Sequence, residues 1–280
     1  MKNNKLIVIT LLSLLTLIIL ACAYIYVIQG EKLDMVKNSW LIDTPIAHRG
    51  LDNGSVPENS IQSFEKAIEH NYAIELDVQL TKDNELVVFH DDNLERLTGD
   101  TRDVKDVEYK ELKSLKLENT QENTQETIPT LKEVIELVDD QVPLLVEIKD
   151  GENAEQLAQK TYEIMKDYKG RYAVQSFNPF ILQWFKENAS EVIRCQLSCN
   201  FIGDQDGGLK GYEKFVLKNL LLNFKSKPHV IAYDVNAVDN LSVKLLKNKY
   251  PVVLWTIKNE EQMKTAYEKG DNIIFDNILP

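Results

Sequence analysis

From residue 44 onward the chain alternates between short apolar runs and amphipathic runs, and this pattern constrains the fold more than any other feature. Apolar runs rich in Val, Ile and aromatic residues are typical of strands, and apolar residues spaced by three or four are typical of helices. The pattern predicts strands at Pro45–His48, Ala73–Leu80, Leu86–His90, Leu144–Ile148, Ala173–Phe177, Val192–Leu197, Val230–Tyr233, Val252–Ile257 and Ile273–Phe275. It predicts helices at Ser60–His70, Thr130–Val138, Asn153–Tyr168, Pro179–Asn188, Asn240–Lys249 and Asn259–Lys269. Strands that alternate with helices form βα units and a mostly parallel sheet.

One connection departs from this alternation, because only Thr81–Glu85 joins the second and third predicted strands. A parallel crossover needs a dozen or more residues, so these two strands are expected to form an antiparallel hairpin. Folding the hairpin about Asp83-Asn84 places Asp77 roughly opposite His90. The remaining eight strands predict an α/β fold, a TIM-type (β/α)8 barrel with this hairpin near the active site. An open doubly wound sheet is the alternative.

The N-terminal segment is apolar throughout, since Leu6–Ile28 contains no charged residue although the mean hydropathy of the whole chain is −0.28. About 20 apolar residues are enough to span a bilayer as a helix. Lys2 and Lys5 precede the run and favour a cytoplasmic N-terminus with an exported remainder. We therefore expect a single-pass protein of the cell membrane with its barrel outside the cell. A cleaved signal peptide and a lipoprotein processed at Cys22 are the alternatives.

This segment divides the chain into three parts. Residues 1–30 are the predicted transmembrane anchor or signal, residues 31–43 a linker, and residues 44–280 the barrel domain. Residues 118–127 repeat Glu-Asn-Thr-Gln and are expected to form a solvated loop. The amphipathic stretch Tyr212–Phe224 is expected to pack in the core rather than against a membrane.

Composition excludes two classes of protein. The chain carries 32 Lys and Arg against 44 Asp and Glu, for a net charge of −12, which argues against nucleic acid as a partner. Its three cysteines cannot form a disulfide framework. Cys195 and Cys199 would lie roughly 13 Å apart on a strand, so we expect free thiols.

Three carboxylates fall in strand interiors. Glu75 and Asp77 alternate with apolar neighbours and therefore point to the same face of their strand. Glu147 repeats the pattern on the next parallel strand. Converging carboxylates are hard oxygen ligands and favour Ca²⁺ or Mg²⁺. The alternative interpretation pairs them with Arg49 and Lys149.

Two of the four histidines, His48 and His90, end predicted strands. In barrels the carboxyl ends of the strands line the active site. A cation, Arg49 and Lys149 together would neutralise an anionic phosphorus centre, and two histidines would serve as acid and base. These residues favour phosphodiester cleavage, and the chain contains neither a P-loop nor a Gly-x-Ser-x-Gly motif.

The order of these motifs resembles that of the glycerophosphodiester phosphodiesterase family over roughly 85% of the chain. The matching segments are His48-Arg49-Gly50, Pro57-Glu58-Asn59-Ser60, Glu75-Leu76-Asp77-Val78, Thr81-Lys82-Asp83, Val87-Val88-Phe89-His90-Asp91, Leu97-Thr98-Gly99, Ile128-Pro129-Thr130-Leu131, Val146-Glu147-Ile148-Lys149, Ser176-Phe177, Trp255-Thr256 and Asp276. The resemblance implies a TIM-type barrel, a divalent metal, usually Ca²⁺ or Mg²⁺, and hydrolysis of glycerophosphodiesters to glycerol 3-phosphate and an alcohol.

The resemblance also implies roles for individual residues. By position, the metal ligands are Glu75, Asp77 and Glu147, the acid–base pair is His48 and His90, the phosphate contacts are Arg49 and Lys149, Glu58 is a further acidic residue near the metal, Trp255 is an aromatic wall for the glycerol moiety, and Phe177 lines the mouth. Two alternatives stay open: a phospholipase D-like or phosphatidylinositol-cleaving enzyme on the same barrel, and a non-catalytic binder of glycerophosphate polymers. With the barrel outside the cell, the partners would be the membrane and a small diester or an envelope glycerophosphate polymer.

Overall fold

The computed structural model describes residues 2–52, 54, 56–118, 125–203 and 207–280, with side chains from residue 5 onward. Most of the repeat at 118–127 lies outside the described residues. The described strands are β1 (Ile46–Ala47), β2 (Ala73–Leu80), β3 (Leu86–Val88), β4 (Leu144–Ile148), β5 (Tyr172–Ser176), β6 (Ile193–Ser198), β7 (Val230–Asp234), β8 (Val252–Ile257) and β9 (Asn272–Phe275). The described helices are α1 (Lys2–Ile28), α2 (Trp40–Asp43), α3 (Ile61–Glu69), α4 (Glu95–Thr98), α5 (Tyr109–Leu112), α6 (Leu131–Val138), α7 (Ala154–Met165), α8 (Pro179–Asn188), α9 (Gly211–Lys218), α10 (Asn223–Ser226), α11 (Leu241–Leu246) and α12 (Glu260–Lys269).

Eight of the strands are parallel and close into a TIM-type barrel, as predicted. The sheet runs β1-β9-β8-β7-β6-β5-β4-β2, and β1 pairs with β2 to complete the ring. β3 is the extra strand and pairs antiparallel with the outer end of β2. We call the end of the barrel where the parallel strands finish the carboxyl face, and the opposite end the amino face.

The hairpin is confirmed, and its register differs by one residue from the approximate pairing predicted. Val78 lies opposite Val88, which places Phe89, and not His90, opposite Asp77. Phe89 donates its backbone N–H to the Asp77 carbonyl at 3.0 Å. The turn that sets this register is closed by Thr81, whose N–H donates to the Glu85 carbonyl.

The interior of the barrel is layered along its axis, because alternate residues of each strand point inward. Near the amino face the inward layer is apolar, with a buried cluster that includes Ile46, Ala73, Leu145, Ala173, Ile193, Cys195, Val230, Val253 and Ile274. Two residues further along β2, β4 and β5, the inward positions carry Glu75, Glu147 and Gln175. The fold therefore places its polar groups toward the carboxyl face, above an apolar floor.

Two of the predicted helices begin with a residue whose side chain caps the helix. Ser60 and Thr130 each accept a hydrogen bond from the backbone N–H three residues on, and in each case that third residue bonds back to the cap. These caps fix where α3 and α6 begin. The cysteines Cys22, Cys195 and Cys199 are free, as expected.

A short helix closes the amino face of the barrel. α2 falls within the segment expected to be a linker, and its Trp40 and Leu41 are buried against the apolar floor. Asn272, at the start of β9, donates its side-chain amide to the carbonyls of Leu41 and Thr44. The chain after the N-terminal helix thus belongs structurally to the barrel.

Helix α1 leaves the barrel for most of its length. Residues 5–23 are exposed, and Lys5–Ile28 is long and apolar enough to cross a membrane. The last turn does contact the barrel: Ile28 is fully buried, and Tyr24 and Val27 pack against the core. Beyond the helix, Glu31 donates its backbone N–H to the Pro228 carbonyl at 2.9 Å.

The expectation for Tyr212–Phe224 was wrong in part. Leu220 is buried, but Phe215 is 61% exposed, and α9 has no buried residue. The helix lies over the rim of the carboxyl face and not inside the core, so its apolar residues divide between the cleft below and solvent.

Candidate active site

Three carboxylates meet inside the barrel toward its carboxyl face. Each of Glu75, Asp77 and Glu147 offers an oxygen, and these oxygens all lie within 4.8 Å of one another. The pairing of β2 with β4 brings the carboxylates together, because Asp77 on β2 lies directly beside Glu147 on β4. All three side chains are buried, as the alternation of the strands predicted.

Neighbouring donors hold the carboxylates in place. The backbone N–H of Arg49 donates to Glu75 Oε2 at 3.0 Å. Asn59 donates its side-chain amide to Asp77 Oδ2 at 2.9 Å. Gln175 on β5 donates to Glu75 Oε1 at 3.0 Å, so each of these two carboxylates has a fixed orientation.

The charges of the cluster are only partly balanced. Burial, together with the nearby Asp77 and Glu147, raises the pKa of Glu75 well above its ordinary value. Burial would also raise the pKa of Asp77, but Lys149, His90 and Arg49 outweigh it and hold that pKa below its usual range. Lys149 Nζ lies 3.4 Å from Asp77 Oδ1 and 3.2 Å from Glu147 Oε1.

This donor set fits a hard divalent cation. Three carboxylate oxygens supply the ligand type that such ions prefer, and the raised pKa of Glu75 shows that the site favours added positive charge. Gln175 Oε1 is buried with no hydrogen-bond partner among the described residues, which leaves one more oxygen beside the cluster.

The two predicted histidines line the same pocket as Glu75 and Glu147. His48 directly follows β1, and its backbone N–H donates to the Phe275 carbonyl. Burial, and then the adjacent Arg49, lower the pKa of His48 well below its ordinary value, which keeps the ring neutral. His90 follows β3, and its Nδ1 lies 2.7 Å from Asp91 Oδ1.

A sharp turn places Arg49 between the carboxylates. Arg49 and Gly50 both have positive φ, at 59° and 82°. A side chain at Gly50 would overlap Ser63 of α3, so the turn requires glycine there. Arg49 Nη1 donates to Glu58 Oε1 at 2.6 Å, and Arg49 Nε lies 3.5 Å from Asp77 Oδ2.

Glu58 is held by two guanidinium groups. Besides Arg49, Arg96 donates to both of its carboxylate oxygens, at 2.9 and 2.7 Å. Although burial opposes it, these arginines lower the pKa of Glu58. The structure therefore places Glu58 behind Arg49 as its ion-pair partner.

The cluster opens into a cleft of about 1060 Å³ with two unlike sides. Trp255 and Phe177 stand edge to face on the apolar side, with ring centroids 5.5 Å apart. Trp255 Nε1 is buried without a partner among the described residues. The polar side is lined by His48, Arg49, Glu75, His90, Glu147 and Lys149.

Several residues of this site were not predicted as site residues from the sequence. Asn59 lies within a quoted motif, and its position beside Glu58 was the available signal. Gln175 occupies an inward position two residues after Ala173 on β5, so strand alternation could have found it. Asp91, whose Oδ1 lies 2.7 Å from His90 Nδ1, also lies within a quoted motif, and its position next to His90 was the available signal.

Comparison with known proteins identifies the family. Residues 48–279 match the glycerophosphoryl diester phosphodiesterase family. A glycerophosphodiester phosphodiesterase from Caldanaerobacter subterraneus is 33% identical over 241 residues, which cover 83% of this chain and 93% of that protein. Lysophospholipase D GDPD1 from Rattus norvegicus is 29% identical, covering 84% of this chain and 83% of that protein.

Solved structures agree with this match. An Oleispira antarctica phosphodiesterase, in complex with the product sn-glycerol-3-phosphate, is similar with a TM-score of 0.69 and 27% identity, over 85% of this chain and 94% of that chain. A glycerophosphodiester phosphodiesterase from Thermotoga maritima is similar with a TM-score of 0.63 and 28% identity, over 84% and 95% of the two chains. The chain thus belongs to the glycerophosphoryl diester phosphodiesterase family.

Proposed function

We propose that the chain hydrolyses glycerophosphodiesters to glycerol 3-phosphate and an alcohol, using Ca²⁺ or Mg²⁺ held by Glu75, Asp77 and Glu147. The observation that carries this proposal is the meeting of three buried carboxylates at a cleft that two histidines line. When bound, the cation would neutralise non-bridging phosphate oxygens.

The chain's own residues supply the proton transfers and the remaining phosphate contacts. His48, kept neutral by burial and by Arg49, suits the role of base toward the nucleophile. His90, with Asp91 at its Nδ1, suits the role of acid toward the leaving alkoxide. Arg49 and Lys149 add positive charge for the phosphate, and Trp255 and Phe177 form the wall against which the glycerol moiety packs.

Paired substitutions test this assignment. In a soluble-diester assay that follows glycerol 3-phosphate, His48→Gln and His90→Gln should each lose about 10²–10⁴-fold in kcat. His70→Gln is the matched control, because His70 is exposed, places its Nδ1 2.9 Å from the Lys66 carbonyl, stacks on Tyr72, and is not among the residues that line the cleft. Full activity in His90→Gln would refute the acid–base pair. Binding of the diester without turnover at any metal tested would favour the non-catalytic alternative.

Chelation tests the metal site separately. We expect activity to be lost with chelator and to return with Ca²⁺ or Mg²⁺, whereas Glu147→Gln should require more metal for half-maximal activity. Activity that survives complete chelation would refute the metal proposal.

We further propose that α1 is retained as a single membrane span with the barrel outside the cell. The contacts of its last turn support retention, since a cut beyond residue 28 would remove the buried Ile28 and the bond between Tyr24 and Ser242. The mass of protein extracted from membranes tests this against cleavage and against lipid attachment at Cys22. A cytoplasmic reporter signal from the C-terminus would refute the orientation.

The apolar side of the cleft favours a second candidate substrate. Leu197, Phe201, Val216 and Leu217 extend this wall beyond the volume that a glycerol moiety fills. A lysophospholipid would place its acyl chain there, in a lysophospholipase D reaction such as the relative's name describes. Comparison of kcat/KM for glycerophosphocholine and lysophosphatidylcholine distinguishes the two substrates.

A further inference from the structure

We propose that the cleft opens toward the same bilayer that holds α1, and that the rim of the cleft docks on the surface of that bilayer. This inference rests on the membrane anchor proposed above. The docking surface, which we call the rim patch, consists of five exposed apolar residues: Phe180, Ile202, Tyr212, Phe215 and Leu241.

The direction of α1 places the membrane. The Tyr24 hydroxyl lies 2.7 Å from the hydroxyl of Ser242, which is in the first turn of α11, shortly after β7 ends at the carboxyl face. Glu31 bonds the carbonyl of Pro228, just before β7 begins at the amino face. Between Tyr24 and Glu31 the chain therefore travels from the carboxyl face to the amino face. Followed backward from Tyr24, the helix leads away beyond the carboxyl face, for roughly 28 Å to Lys5.

The rim patch lies on this same face. Phe180 is at the start of α8, Ile202 follows β6, and Leu241 begins α11, so all three occupy connections that leave the carboxyl ends of strands. Tyr212 and Phe215 lie on α9, in the connection from β6 to β7. The other large apolar side chains that are exposed in the described part of the chain outside α1 are Val36, Ile42, Leu245, Tyr267 and Leu279.

α9 has the composition of a helix at a membrane interface. It has no buried residue, and Lys210, Lys214 and Lys218 accompany it with Glu213 as the one acid of this stretch. Long lysine side chains can reach anionic headgroups while apolar neighbours enter the interface. In a chain with a net charge of −12, this local excess of lysine is a departure from the average.

The rim and the anchor are joined by hydrogen bonds. The Ser242 hydroxyl, which contacts Tyr24, also donates to the carbonyl of Asn219 at 2.6 Å, directly after α9. Asn240 donates to the carbonyl of Lys218, the last residue of α9. α9 is thus held beside the point where α1 leaves the barrel, so insertion of α1 would bring the rim patch to the bilayer surface.

This arrangement decides how substrate reaches the site. Tyr212, Val216 and Leu217 of α9 line the cleft, while Phe215 lies outside it. An amphiphilic diester could pass under α9 from the bilayer surface to the carboxylates without crossing bulk water. The class of substrate assigned by this geometry is a diester resident at the membrane surface.

Fluorescence on the full-length chain tests the docking. Cys22→Ser removes the exposed cysteine, and Cys195 and Cys199 can stay because they are buried. A bimane label is then attached at either Phe215→Cys or Tyr267→Cys. The two positions are matched in exposure, at 61% and 63%, but Tyr267 lies on α12, remote from the rim. In vesicles of phosphatidylcholine and phosphatidylglycerol at 3:1, brominated phosphatidylcholine should quench the label at Phe215 several-fold more than the label at Tyr267. Equal quenching at the two positions would overturn the proposal.

Activity gives a second readout. Phe215→Glu should lower turnover of lysophosphatidylcholine in vesicles by about tenfold while leaving turnover of soluble glycerophosphocholine unchanged. Tyr267→Glu should change neither, and an equal effect of both substitutions on vesicle substrate would contradict the docking. Protein that turns over no diester but shows the quenching difference refutes the proposed function alone. Protein that does not float with vesicles refutes anchor and docking together.

Discussion

Replacing Glu75 with glutamine should remove metal binding without the usual loss of stability. Glu75 accepts hydrogen bonds from the Arg49 backbone and from Gln175. A glutamine keeps one acceptor for Arg49, and its new amide group meets Gln175 Oε1 once that side chain rotates. Gln175 can rotate because this oxygen has no other partner among the described residues. The substitution therefore keeps both hydrogen bonds at residue 75, loses the 3.4 Å contact from Gln175 Nε2 to Glu147 Oε2, and removes a charge.

The charge removed is unfavourable in the absence of a cation. Two unit charges 4.8 Å apart repel by ~3 kcal/mol at an effective dielectric constant of about 20. Burial and the neighbouring Asp77 and Glu147 raise the pKa of Glu75 well above its ordinary value, which is the direction that this repulsion requires. Because glutamine has the shape of a protonated carboxyl group, Glu75→Gln should leave the metal-free Tm unchanged or raise it. A typical substitution in contrast costs about 1 kcal/mol.

Added metal should raise the Tm of the wild-type chain more than that of Glu75→Gln. A cation at one hundred times its Kd stabilises the wild-type chain by about 2.7 kcal/mol. For a chain of this size that corresponds to a rise in Tm of about 5–10 °C. Glu75→Gln lacks one of three ligand carboxylates and should show little of this rise.

Differential scanning calorimetry with chelator, and then with excess Ca²⁺ or Mg²⁺, measures both quantities. Glu85→Gln is the control, since Glu85 is an exposed carboxylate of the hairpin turn. A metal-free Tm several degrees below that of wild type would refute the repulsion argument. A full metal-dependent rise in Glu75→Gln would refute the ligand assignment.

Three further predictions concern the supports of the fold and site. Arg194 is fully buried and donates to several backbone carbonyls and to Glu31. Arg194→Met should therefore lower the free energy of unfolding in urea by about 3–5 kcal/mol. Glu31→Gln changes a half-exposed partner and should lower it by at most about 1 kcal/mol. Burial, and then Arg194, lower the pKa of His229 to about 4, so the unfolded chain takes up a proton first as pH falls from 6.5. The free energy of unfolding should therefore fall by about 2 kcal/mol between pH 7.5 and 5 because of His229. In His229→Gln the free energy of unfolding should change less with pH over this range. Asn59 has φ 52° and donates to Asp77, so Asn59→Gly keeps the backbone conformation and removes the side-chain bond. Calorimetric titration should then show metal affinity weakened by about 10–100-fold. An unchanged affinity would show that Asp77 needs no such support.

Local patterns in the sequence were sufficient for the barrel. Nine strand positions, the hairpin and the caps at Ser60 and Thr130 follow from periodicity and short-range hydrogen bonding, which act within a few residues. Strand alternation also predicted that Glu75 and Asp77 share an inward face. These features could be predicted because each depends on interactions between residues that are close together in the sequence.

The exact register and the partners of polar groups could not be predicted in this way. The observed pairing of the hairpin differs by one residue from the expected pairing. The hydrogen bond between Thr81 and Glu85, and not the midpoint of the turn, sets the register. Glu58 pairs with Arg96, which is 38 residues away in sequence. Such contacts depend on how separate elements pack.

The fold class, the apolar N-terminal segment and the side chains capable of the chemistry could be inferred from the order of residues alone. The folded chain was needed to show that β2 and β4 bring Asp77 beside Glu147, that Gln175 joins them, and that α1 leaves from the carboxyl face. The difference lies in the distance along the chain over which each interaction acts. Propensity and alternation are properties of neighbouring residues, whereas the balance of charge in a buried cluster and the direction of an anchor arise from contacts between distant parts of the chain.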